Sequence, residues 1–130
     1  MLAALVLPLL LVRCGGDGFS PPACGENAAL SVGTGASPEF TWSPACRAAG
    51  LQVVVLDRFE SVGWSIATVN LSNRLQSPLR YGIVPAGAVQ QGELTPLEAG
   101  HTYRALLLVA EPAQSGGAEL SGAGAVDFTR

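Results

Sequence analysis

From Ala28 onward the chain is a series of short apolar runs broken by Gly, Pro and small polar residues. Where the runs alternate, they do so with a period of two, the repeat of a strand with one buried face. "AALSVG" (28–33) predicts a first strand. "SPEFTWSP" (37–44) predicts a second, with Phe40 and Trp42 on one face. Pro38 and Pro44 bracket it, since a residue without an N–H belongs at strand ends. "LQVVVLD" (51–57) is almost unbroken apolar and β-branched sequence. It predicts a central strand, covered on both faces or with a partly covered outer face.

In "SVGWSIATVNL" (61–71), Val62, Trp64 and Ile66 are expected on one face and Gly63, Ser65 and Ala67 on the other. "SPLRYGIVPAG" predicts a short strand over 79–83, ended by Pro85 and Gly87. "HTYRALLLVAEP" (101–112) is the longest candidate, with Tyr103, Ala105, Leu107 and Val109 sharing a face. "AQSGGAELSGAG" (113–124) reads as a loose loop, and "AVDFTR" (125–130) as a closing strand. No stretch carries a helical period, and there is no internal repeat. Six or seven short strands joined by turns predict an all-β, antiparallel β-sandwich.

The start of the chain is different. Residues 2–12 are apolar without alternation. Eleven residues are too few for a membrane-spanning helix, which needs roughly 20. They suit the apolar segment of a secretory signal, although no Lys or Arg precedes them. A buried first strand or helix is the alternative. "LLLVRCGGDG" resembles the lipobox of bacterial lipoproteins, in which cleavage just before a cysteine leaves that cysteine to carry lipid. Leu11 and Val12 match the pattern, and Arg13 departs from it, standing where a small residue is usual. The resemblance implies a signal peptide over 1–13, lipid attachment at Cys14, and a tether over 14–27 rich in Gly, Pro and polar residues. If Cys14 carries lipid, Cys24 and Cys46 remain as a pair. The other possibility is three free thiols in a reducing compartment.

Two stretches further along resemble a fibronectin type III domain, an immunoglobulin-like sandwich of about seven strands. "PEFTWSPAC" resembles its second strand, where a Trp is followed closely by Pro. "PLEAGHTYRALLLVA" resembles its penultimate strand, with Leu97, Gly100 and Tyr103 at the family spacing and Ala99 in place of the usual Pro. "VGWSIAT" is similar to the Trp-bearing strand in the middle of such domains. The resemblance covers residues 28–130 and implies scaffold roles. Trp42 would fill the core between the sheets. Tyr103 would form a tyrosine corner, its hydroxyl bonding backbone near Leu97, and Gly100 would relieve the tight turn. The topology would also bring Cys24 and Cys46 to one end of the sandwich, where a bridge could close.

Composition narrows the function. Charged residues are 13% of the chain and the net charge is −3. Without residues 1–13 it is −4, six Arg against ten acids. That excludes the basic face of a nucleic-acid binder and does not favour anionic lipid surfaces. The single His, His101, has no nucleophile signature beside it. "GTGASP" (33–38) lacks the third Gly and the helix of a phosphate loop, and reads as a turn. Asp57 and Glu60 read as a solvated loop rather than a catalytic or calcium pair. Asn70, Leu71 and Ser72 form a glycosylation sequon, relevant only in a eukaryotic secretory pathway.

No spacing suits a metal site, and no cofactor is expected. The expectation is therefore a non-catalytic protein of the cell envelope, attached to the membrane by lipid, whose partner is an envelope protein or a glycan. The alternative is a carbohydrate-binding module in which Trp64 and Tyr81 stack on sugars. The competing reading of those two rings is core.

Overall fold

The computed structural model describes residues 21–57 and 61–130. Residues 1–20, which include Cys14 and the expected signal peptide, and the 58–60 stretch with Glu60 lie outside the described residues. The described chain is all-β. Its strands are β1 (Ala29–Val32), β2 (Glu39–Ser43), β3 (Gly50–Val55), β4 (Ser61–Thr68), β5 (Leu79–Arg80), β6 (Ala88–Gln90), β7 (Thr102–Pro112) and β8 (Ala118–Thr129). They form two antiparallel sheets in a sandwich-like arrangement, one in the order β1-β2-β5 and the other β6-β4-β3-β7-β8. Among the described residues no helix is long and apolar enough to cross a membrane.

The alternation in sequence becomes the core. Leu30, Phe40, Trp42 and Leu79 come from the smaller sheet. Leu51, Val53, Val55, Trp64, Ile66, Tyr103, Ala105, Leu107 and Val109 face them from the larger one. β3 is central, as its composition predicts. Its inner residues are buried, while Gln52 and Val54 on the outer face are half-covered.

Phe128 from β8 closes one end of the core. It stacks on Tyr103 at 5.4 Å and meets Phe40 edge-on at 6.1 Å. On the outer face Arg104 pairs with Asp127 across β7 and β8, at 2.7 and 3.1 Å. The guanidinium hydrogen bonds hold the Asp127 carboxyl below the usual carboxylate range. Both side chains are about half exposed, so the pair adds little to stability.

Several expectations change. Val62 does not share a face with Trp64. The β3–β4 register shifts between Val53 and Val54, so Gly63 is an extra residue and Val62 turns outward, 47% exposed. The strand expected over 79–83 stops at Arg80, and Gly82 turns the chain with φ 84°. The run over 61–71 ends as a strand at Thr68 and continues as one 3₁₀ turn. β6 was not expected, because three residues between Gly87 and Gly92 carry no readable period.

The loop expected over 113–124 is a strand from Ala118 onward, paired with β7 residue by residue. A second register shift, between Leu107 and Leu108, leaves Ala123 as the extra residue of β8. Its carbonyl accepts the Ala28 N–H at 2.9 Å. Gly124 is needed there, since a Cβ would lie 2.5 Å from the Ala28 carbonyl oxygen. Gly124, one of the glycines that make this stretch look like a loop, is what lets the chain entering β1 lie against β8.

The expected tether behaves differently over its described part, 21–27. The Arg47 N–H donates to the Pro22 carbonyl and the Cys24 N–H to the Arg47 carbonyl, both at 2.8 Å. Cys24 is buried and disulfide-bonded to Cys46. These residues pack on the sandwich instead of hanging from it.

Candidate functional site

Four groups of side chains bear on function. The first is the aromatic pair considered for sugar stacking. Trp64 is 0% exposed and Tyr81 3%. Their rings lie 5.2 Å apart, the Trp64 Nε1–H donates to Gln90 Oε1 at 3.0 Å, and the Tyr81 hydroxyl donates to the Thr95 carbonyl. The bulge places Gly63 beside the Tyr81 hydroxyl, 3.3 Å from where a Cβ would stand. Both rings belong to the core and present no face to a sugar. Their alternative ligand role is corrected on this geometry: Trp64 stands opposite Val53 on the inward face of β4 with Ile66, and Tyr81 is buried where the chain turns at Gly82.

Burial pushes the Tyr81 hydroxyl up to about 12, and the nearby Tyr103 adds to the shift. A raised acid favours the folded state while it keeps its proton. Stability from this group is therefore complete below the unfolded value of about 10 and falls as pH climbs toward about 12. Tyr81→Phe should flatten this stretch of the pH–stability curve, read by urea unfolding at several alkaline pH values. An unchanged slope would show that Tyr81 does not cause it.

The second group is the turn into β7. The Tyr103 hydroxyl accepts the Glu98 N–H at 2.7 Å, one residue from the position the sequence suggested. Leu97 is buried beneath the turn, and Gly100 has φ 83° with its N–H on the Arg130 carbonyl. A side chain at Gly100 would be strained by that backbone even though the space is open. Tyr103→Phe should cost about 1–2 kcal/mol, because the ring still packs while the Glu98 N–H loses its partner. Urea unfolding measures it, and a neutral result would remove the corner from the scaffold.

The third group joins residues that the sequence treats separately. His101 Nδ1 lies 2.9 Å from Asp57 Oδ2, and Nε2 lies 3.1 Å from Glu98 Oε2. The cluster borders a small cleft of about 50 Å³ that also includes Ser61 and Thr95. Both ring nitrogens of His101 face carboxylates. Among the described residues, no three His, Cys, Asp or Glu side chains form a set that could hold a metal ion. Glu98 was not singled out from sequence, although its position three residues before His101 in a turn places both on one side. Asp57 reaches them only because β3 and β7 pair.

The fourth group lies at the other end. Cys24 and Cys46 are bonded to each other across a sequence separation of 22. Trp42, 6% exposed, donates its Nε1–H to the Cys46 carbonyl at 3.0 Å, so the bridge and the core ring hold one corner together. Its backbone N–H finds the Ser77 hydroxyl at 3.2 Å, replacing a ladder bond that the short β5 does not reach.

Comparison of the chain with protein-family models, curated proteins and solved structures returns no significant match.

Proposed function

We propose that this chain is a non-catalytic, lipid-anchored protein of the bacterial cell envelope, and that its sandwich, organised like a fibronectin type III module, acts as a binding or spacer unit. The observation that carries this reading is the cysteine pairing. Of the chain's three cysteines, Cys24 and Cys46 are bonded to each other. Cys14 is the one left over, and it follows Leu11 and Val12 in the lipobox-like run. Lipid attachment accounts for both the odd count and the run.

The strand order supports the module reading. In immunoglobulin-like sandwiches strands A, B and E share one sheet, while C, F and G share the other. Here β1, β2 and β5 hold the first set of places and β3, β7 and β8 the second, with β4 and β6 added beyond β3. Trp42 lies in the second strand and Tyr103 in the strand before last, which supports the resemblance. The sugar-binding alternative is weakened, because Trp64 and Tyr81 are enclosed.

The test is acylation. Expressed in a bacterial host with labelled palmitate, the full chain should take up label and lose the mass of residues 1–13. Cys14→Ser should abolish both. Arg13→Ala should raise the processed fraction, since a small residue fits the peptidase pattern better. A wild type that takes up no label and keeps its leader would refute the anchor.

A further inference from the structure

The described chain begins at one end of the sandwich. Pro22 and Cys24 are hydrogen-bonded to Arg47, and Cys24 is bridged to Cys46. Pro21 lines a cleft with Trp42, Ala45, Cys46 and Gln76. This is the end where β2 finishes and β3 begins. The β7–β8 hairpin leaves from the same end. Leu108 pairs with Gly50, the first residue of β3, and the hairpin continues past it to Pro112 and Ala118. Those extra residues project about 13 Å beyond β3. Asp57, His101 and Glu98 lie at the opposite end, where β3 finishes and β7 starts. The two ends are about 20 Å apart along the strands.

Cys14 and Pro21 are seven residues apart in sequence. Whatever their conformation, seven residues reach no more than about 25 Å. We infer that the disulfide end of the sandwich, with the β7–β8 hairpin, is the surface that faces the phospholipid headgroups, and that the end carrying Asp57, Glu98 and His101 points away from the bilayer. The inference rests on the lipid reading of Cys14. An inverted module would need the short segment stretched along almost the whole sandwich, against its conformational entropy.

The chemistry of the facing end suits resting at the headgroups without insertion. The hairpin tip over 113–117, "AQSGG", has no charge and no large apolar side chain. Behind it Glu111 and Glu119 stand directly opposite each other, which disfavours adhesion to anionic lipid. Arg47 and Arg74 lie at the same end, beside the start of β3, so its charges are mixed. Length of chain, rather than net charge, sets the orientation, and the bias should persist in high salt.

The experiment uses the full chain, processed in a bacterial host and placed in nanodiscs of phosphatidylethanolamine and phosphatidylglycerol that carry a gadolinium-chelating lipid. Backbone amide broadening is read residue by residue, and the mass of the same sample reports lipid on Cys14. The amides of Ala45, Gln76 and the 113–117 tip should broaden at least about threefold more than those of Gly35, Asp57 and Glu98, given the separation of the ends. The difference should persist in high salt. Inserting about fifteen Gly/Ser residues after Gly16 should level it, because the segment then spans the separation of the two ends in its relaxed state, without being stretched. Equal broadening at both ends of an acylated protein, or stronger broadening at Asp57 and Glu98, would overturn the orientation and leave the lipid reading intact. A bias that survives the long insertion would overturn the reach argument in favour of direct lipid contact. Absence of lipid mass on Cys14 would overturn the anchor and the orientation together.

Discussion

Trp64→Ala should destabilise the protein by about 3–5 kcal/mol, the cost of removing a large aromatic from a packed core. Trp64 is among the largest fully buried side chains and sits against Tyr81 at 5.2 Å. Truncation would open a cavity between β4 and β5 and strand the Gln90 carboxamide that accepts its Nε1–H. A domain has about 5–15 kcal/mol in total, so this loss takes a large share of it. Trp64→Phe keeps most of the ring volume and loses the Gln90 bond, so a smaller loss that remains measurable by urea unfolding is expected. Glycan binding measured alongside should fall only as far as folding falls. A Trp64→Ala variant with unchanged stability and a lost glycan signal would return the ring to a ligand role and overturn its place in the core. Trp42→Ala should cost a similar amount, since that ring also holds the Cys46 carbonyl.

Removing the bridge should be the next largest effect. Cys24→Ala with Cys46→Ala should lower stability by about 3 kcal/mol, mainly by freeing a loop of about 22 residues in the unfolded chain. The folded state should survive. Pro22 and Cys24 keep their backbone hydrogen bonds to Arg47, and Trp42 keeps the carbonyl of residue 46. Urea midpoints of the wild type with and without reductant, and of the double variant, should therefore show two coinciding weaker curves and one stronger one. Peptide mapping of oxidised protein should recover one cross-linked pair. Two free thiols in protein from an oxidising compartment, or identical midpoints with and without reductant, would remove the bridge from the stability account.

The same corner shows why the segment before β1 is unlike a tether. Pro, Gly and small polar residues over 21–27 signal linker by composition, and composition cannot report a long-range partner. Here the partners are Arg47 and Cys46, which lie more than 20 residues away. The disulfide was inferred from topology and cysteine count, not from local sequence, and the structure contains it.

The sequence pattern by itself, alternation together with one unbroken apolar run, determined the class of the fold and several of its strands. β1, β2 and β7 fall where alternation and flanking Pro or Gly place them, and β3 where an unbroken β-branched run does, because each buries its inner face independently of its neighbours' details. It also determined the inward residues of β7, from Tyr103 to Val109, which keep strict alternation.

What only the tertiary structure decided lies where two segments meet. The bulge at Gly63 turns Val62 outward. Gly124 is where β8 meets Ala28 at the entry to β1, and not part of a loop. The turn at Gly82 buries Tyr81 against Trp64, and the pairing of β3 with β7 brings Asp57 to His101. A bulge shifts every later side chain to the other face, and neither its position nor the approach of a second backbone is encoded in the period of one strand. Those features depend on contacts between residues far apart in the chain, so they became visible only when the sheets were assembled.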